Sequence, residues 1–330
     1  ALIVVVSHFS NDTKWFGGSL GAGAGQFGVM LFFILSGFLM SYLYMQKEFG
    51  AENIKRYAVA RIARVAPLFL LIVVFSYLFY ANGIEGILYK IPNFQHFLSH
   101  LFLIKGSNVL WTIGPEIQFY IFFILIWKFA QAKPSFLFIL LAASLVTLFF
   151  LDFPRPIGSI YGFPYDFPIL RSFPYFLTGV IFGFYYKPFS KIESPKSAWY
   201  ILPILIIPLL YPKIFVNLTG YKHGMWSDIG VLVIVSLVFF SIVYMVPDNN
   251  RLISNKVGDF LGKISYSLYL LHMPVLWQIK KYGSLGVELQ FLVFIFCSLL
   301  LSYISYKLIE IPSSKLIRWI SPSIKFEPRQ

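Results

Sequence analysis

Residues 27–45 read Phe27-Gly28-Val29-Met30-Leu31-Phe32-Phe33-Ile34-Leu35-Ser36-Gly37-Phe38-Leu39-Met40-Ser41-Tyr42-Leu43-Tyr44-Met45, a run without a single charge. An α-helix needs about 20 predominantly apolar residues to cross the hydrocarbon core of a bilayer. This run has that length, and comparable uncharged stretches recur at 65–84, 134–151, 229–247 and 289–306. Shorter candidates lie at 117–127, 172–186, 197–212 and 264–279. The apolar run Ala1 to Val6, closed by His8, reads as the end of a further helix that the sequence enters part-way. Lipid offers no partner to open backbone groups, and the strands of a barrel would alternate polar and apolar, so helices are the expected form. The sequence predicts an all-α polytopic integral membrane protein of about ten transmembrane helices, the first truncated at its N-terminus. It reads as a single domain over 1–330, with no appended soluble domain.

Composition agrees. The chain is 58% hydrophobic and 20% aromatic but only 12% charged, with a mean hydropathy of +0.74; soluble domains carry about 25% charged residues. A formal charge of +13 would suggest nucleic acid as a partner in a soluble protein. Here the basic residues sit in short loops between apolar runs, which fits the positive-inside rule instead. If the first helix runs outward, about two-thirds of the 27 lysines and arginines fall in inner segments. Both ends are then cytoplasmic. The single Cys297 excludes disulfides within the chain and cysteine metal clusters. No signal-peptide pattern is visible, nor a repeat of the kind that builds transporters from duplicated halves.

In so apolar a chain, ionisable residues within or beside the hydrophobic runs need a reason, because a charge at membrane depth costs a few kcal/mol or more. His8 lies toward the outer end of helix one, with Ser7 beside it and Asp12 four residues on. A neutral imidazole there can take a proton from a hydroxyl and return it; the alternative is a buried His bonded to a backbone carbonyl. Glu116 follows Trp111-Thr112-Ile113-Gly114-Pro115 near the outer end of its helix. It either orients an imidazole or simply favours the helix dipole, with Thr112 as N-cap. Arg61 and Arg64, three apart on one helix face, form a pair of forks suited to phosphates, or ordinary positive-inside residues. Ser36-Gly37 reads first as close helix packing, with a nucleophilic Ser36 the other reading. His272 lies mid-membrane, two residues before Pro274, structural in one reading and catalytic in the other. Glu310-Ile311-Pro312 reads as a helix terminus.

The outer segments carry their own signals. Residues 11–25 are glycine-rich and expected to be mobile, and 96–102 read as a short amphipathic helix at the interface. Residues 152–168 read as a fold over the outer face. Trp15, Tyr161, Phe163, Tyr165, Tyr221 and Trp226 are aromatics that could stack on sugars or form an interfacial belt. His96, His100 and His223 fit no defensible metal spacing, so no metal is expected.

Taken in order, these motifs resemble the membrane-bound acyltransferase family 3, the O-acyltransferases of bacterial surface polysaccharides and related glycans. The matching residues are Ser7-His8-Phe9, Phe33-x-x-Ser36-Gly37-Phe38, Arg61-x-x-Arg64 and Trp111-Thr112-Ile113-x-x-Glu116 with Phe119-Tyr120. Ser265-Tyr266-x-x-Tyr269-Leu270-x-His272 and Glu310-x-Pro312 complete the set. The family also has an Arg about ten residues before the His, ahead of the first residue here. The resemblance implies an acyl-CoA co-substrate, acetyl-CoA first among them, and a glycan or lipid-linked saccharide acceptor. It implies catalytic His8 and Glu116 and phosphate contacts at Arg61 and Arg64. Ser36, Gly37, Asp12, Trp111 and His272 would support them. The setting would be the bacterial inner membrane, with lipid around the helices, no nucleic acid and an undetermined oligomeric state. The rival reading is a non-catalytic transporter or flippase of a lipid-linked glycan, which would need a continuous polar pathway.

Overall fold

The computed structural model describes residues 1–150, 168–189, 205–222, 224–245, 255–281 and 285–321. The aromatic segment 152–168 except its last residue, the first half of the candidate span 197–212, and His223 lie outside them. The described residues are helical, without a strand. In chain order the α-helices are α1 (Leu2–Thr13), α2 (Ala24–Met40), α3 (Ala51–Ala81), α4 (Phe94–Leu101), α5 (Ile113–Ala132) and α6 (Phe136–Leu145). They continue with α7 (Pro168–Phe189), α8 (Pro212–Thr219), α9 (Ile229–Phe240), α10 (Lys256–Lys281), α11 (Val287–Ser305) and α12 (Ile311–Trp319).

Among the described residues, four helical stretches are long and apolar enough to cross a membrane: Ala24–Met45, Ala51–Ala81, Asn108–Ala132 and Val287–Trp319. These four fit the helical membrane class expected, and fall short of the expected count of about ten among the described residues. Phe136–Phe149 and Ile229–Met245 are apolar but shorter. The third helix begins at Ala51 rather than near residue 65. Charges at Glu52, Lys55, Arg56, Arg61 and Arg64 disqualify that stretch as lipid-facing span. Ala, Glu, Lys and Arg are nevertheless good helix formers, so the helix starts before the apolar run does.

The chain resolves into two compact units. The first comprises Leu2–Phe49 and Pro115–Asn255. Its centre is the pairing of α2 with α7, which approach backbone to backbone. A Cβ on Gly37 would strike the Phe176 carbonyl, one on Gly179 the Ile34 carbonyl, and one on Gly183 the Phe38 carbonyl. Small residues let helices associate where apolar burial gives no driving force, as in lipid. Beside this seam Phe176 stacks between Phe33, at 4.5 Å, and Phe119, at 4.1 Å.

The second unit comprises Gly50–Gly114 and Lys256–Gln330. Pro67 and Pro274 lie inside α3 and α10. Pro274 has no N–H to offer the carbonyl of Leu270, and the Tyr89 hydroxyl donates to that carbonyl at 2.6 Å. The Tyr266 hydroxyl donates to Val65 O at 2.7 Å and ties α10 to α3. After α11, a π-helical turn at Tyr306–Glu310 leads straight into α12. Glu310-Ile311-Pro312 is therefore a change of helical register, not the terminus expected. Proline in the first turn of a helix costs no hydrogen bond, which is why α12 can begin there.

Candidate functional site

His8 stands in the second turn of α1, half-buried, between the buried Ser7 and Phe9. Three side chains fix this helix against the glycine-rich segment that follows. The Gly25 N–H donates to Ser7 Oγ at 2.9 Å, the Ala22 N–H to Asn11 Oδ1 at 2.7 Å, and Ser10 Oγ to Trp15 O at 2.8 Å. Lys213 adds a bond to Gly17 O at 2.7 Å. Residues 11–25 are thus anchored at both ends, and their glycines supply positive φ, +62° at Gly17 and +92° at Gly23. Asp12 is exposed one turn beyond His8, and its charge acts on the imidazole.

Glu116 is only 2% exposed, in the first turn of α5, where the helix dipole favours its charge. Ser36 Oγ donates to its Oε1, and the Tyr120 hydroxyl donates to the same oxygen at 2.6 Å. A carboxyl group held by two hydroxyls on one oxygen is fixed in orientation. The structure therefore brings together Ser36 and Glu116, eighty residues apart in sequence. Ser36 is thus bonded to a neighbouring helix, while Gly37 packs in the α2–α7 seam. Tyr120 was quoted in the motif, but its part as second donor was missed. The i, i+4 spacing from Glu116 was the available signal. Gly179-x-x-x-Gly183 was also missed, although small residues four apart are a readable sign of close helix approach. Thr112 is no N-cap: its hydroxyl donates to Val109 O at 3.1 Å.

In the second unit, Arg61 and Arg64 share the N-terminal half of α3 but differ in setting. Arg61 is 8% exposed and lies over the Tyr57 ring at 5.9 Å, whereas Arg64 is exposed. α3 packs against the π turn Tyr306–Glu310 and against α12. There Glu310 accepts a hydrogen bond from Ser267. Neither Ser267 nor Glu310 stood out as a site residue in the sequence. The signal available was a lone carboxylate between an apolar run and a proline.

Trp111 is half-buried in the 3₁₀ turn Asn108–Thr112. His272 is fully buried in α10, its Nδ1 within 2.8 Å of Tyr269 O and 3.1 Å of Leu268 O. A carbonyl only accepts, so Nδ1 carries the proton and Nε2 holds the lone pair in the neutral ring. His100, on α4, is tethered on both sides: Nδ1 donates to His96 O at 2.7 Å and Nε2 accepts from the Ser107 N–H at 2.9 Å. It pins a loop.

The fold and these residues define an all-helical, membrane-type protein with a buried, hydroxyl-held carboxylate in one unit and an arginine pair in the other. A family profile described as an acyltransferase domain, family 3, matches residues 1–307, and the chain belongs to that family. Among similar proteins, one of Staphylococcus aureus strain COL named Putative O-acetyltransferase SACOL0978 is 28% identical over 323 residues, 88% of this chain and 53% of its own length. The O-acetyltransferase OatA of Staphylococcus aureus strain NCTC 8325 is 26% identical over 345 residues, 94% of this chain and 55% of its own. The chain thus spans about half the length of these relatives. No solved structure matches.

Proposed function

We propose that the chain is an integral membrane O-acyltransferase of a bacterial inner membrane. It moves an acyl group, acetyl in the first instance, from cytoplasmic acyl-CoA to a hydroxyl of a glycan or lipid-linked saccharide. The observation that carries this reading is the acyltransferase family match over 1–307, a range that includes His8, Glu116 and the Arg61-x-x-Arg64 pair. The relatives' names, both O-acetyltransferases, support acetyl as the group transferred.

His8 acts as general base. It takes the proton of the acceptor hydroxyl as the oxygen attacks the thioester carbonyl. The new C–O bond forms, the C–S bond breaks, and the proton passes on to the departing thiolate to give free CoA. Asp12 and Glu116 are the carboxylates available to steady the imidazolium, the latter held by Ser36 and Tyr120. Arg61 and Arg64 contact CoA phosphates, a task suited to planar guanidinium forks. The positive-inside bias supports a cytoplasmic C-terminus.

The test is transfer of label from radiolabelled acetyl-CoA into the glycan fraction of membranes containing the full-length protein. Incorporation above membranes lacking the protein is expected. Equal incorporation, with intact protein present, would overturn the proposal.

A further inference from the structure

The helical stretch Val287–Trp319 is longer than a membrane is thick. Its 33 residues rise about 50 Å at 1.5 Å each, against a hydrocarbon core of about 30 Å. Enclosing all of it would take a tilt beyond about 50°, outside the 0–40° that membrane helices adopt. The uncharged run 289–306, about 27 Å long, fills the core by itself. α12 therefore lies outside it. Two bonds made by neighbouring residues of α10 fix its level: the Tyr266 hydroxyl reaches Val65 O, and Ser267 reaches Glu310. Val65 is where the uncharged run of α3 begins, so α12 sets out from a boundary between apolar and charged residues.

One side of α12 packs against α3. Its exposed residues, Pro312, Lys315, Leu316 and Trp319, with Ile320 just beyond, recur at i, i+3, i+4, i+7 and i+8, which is one face of a helix. Four of the five are apolar and the fifth is a lysine. Trp319 is 74% exposed, and Leu308, shortly before α12, is 71% exposed. Lys307 beside it is exposed too, with its Nζ over the Tyr303 ring at 5.7 Å. Residues 311–321 contain no acid, and Glu310 is turned to Ser267. An apolar face that carries lysine and tryptophan suits the headgroup layer, where ring and stem meet acyl chains and the ammonium stays among polar groups. We propose that α12 lies in that layer and that Lys307 and Lys315 bind the phosphates of anionic phospholipids there. A negative lipid surface supplies the counter-charge that this acid-free face lacks. The inference does not depend on the acyl-transfer reading.

The experiment has two arms on the purified full-length protein. In nanodiscs of phosphatidylglycerol and phosphatidylcholine, Trp319 is read as the fluorescence difference between wild type and Trp319→Phe. Phospholipid brominated on its acyl chains should quench that difference, and aqueous iodide should not. Quenching by iodide alone would put the face in water. Protection from both would put a protein partner on it, a second copy included. Either result would overturn the proposal. In detergent containing equal amounts of the two lipids, native mass spectrometry reads which one stays bound. Wild type should retain phosphatidylglycerol in preference. Lys307→Gln and Lys315→Gln should each reduce that retention about fivefold, the effect of one lysine near an anionic surface, and Lys315→Arg should keep it. Equal retention of the two lipids by wild type, or an unaltered preference in the double Gln variant, would overturn the proposal.

Discussion

Glu116 shows how much a single side chain depends on its neighbours. Nearly inaccessible, it takes two hydroxyl donors on one oxygen. Removing the partner of a buried polar group costs about 1–3 kcal/mol. Ser36→Ala and Tyr120→Phe should each lower the melting temperature in detergent, and the pair should interact rather than add because both act on one atom. Unchanged melting in both single variants would contradict the bonding seen here. His100 offers a pH test outside the membrane spans. Its ring is bonded as the neutral tautomer. Burial holds its pKa below the ordinary value, with the nearby His96 and Lys105 acting the same way and the His96 carbonyl bond opposing. The folded state then binds fewer protons than the unfolded one, so the contribution is complete above about pH 6.5, the unfolded value, and is lost as pH falls below it. Hydrogen exchange at the Ser107 amide, corrected for intrinsic rate, should accelerate between pH 7.5 and 5.5. Equal protection at both would contradict the pin.

At the scale of elements, the α2–α7 seam is the feature most sensitive to one methyl group. Gly179→Ala would place its Cβ against the Ile34 carbonyl, where backbone and not a pliable side chain must give way. Overpacking of this kind costs about 1–3 kcal/mol or more. Gly262, inside α10, meets nothing within 4 Å. Gly262→Ala should therefore stabilise, by up to about 1 kcal/mol, through helix propensity alone. Thermal unfolding of the two variants should shift in opposite directions; a shared sign would show that the packing has been misjudged.

Across the whole molecule, what the sequence revealed and what it hid follow a physical divide. The apolar runs made the helical class readable, because period and length belong to the segment itself. The amphipathic stretch around His96–Phe102 was readable for the same reason and forms α4. The early start of α3 was not, since the charges that forbid a lipid-facing span do not forbid a helix. Ser36 and Glu116 each stood out as residues, but their bond joins elements eighty positions apart, and no local pattern encodes that. Glu310 shows the same limit: its proline neighbour suggested an end, while its partner Ser267 is supplied by another helix.

The central claim is that this chain is an acyltransferase whose base is His8. The measurement that bears on it most directly compares wild type with His8→Ala, at matched expression, for transfer of radiolabelled acetyl from acetyl-CoA to glycan. General-base catalysis contributes about a hundredfold or more, so transfer should fall by at least that factor while the protein remains folded and CoA affinity is retained. Transfer at the wild-type rate in His8→Ala would contradict the claim.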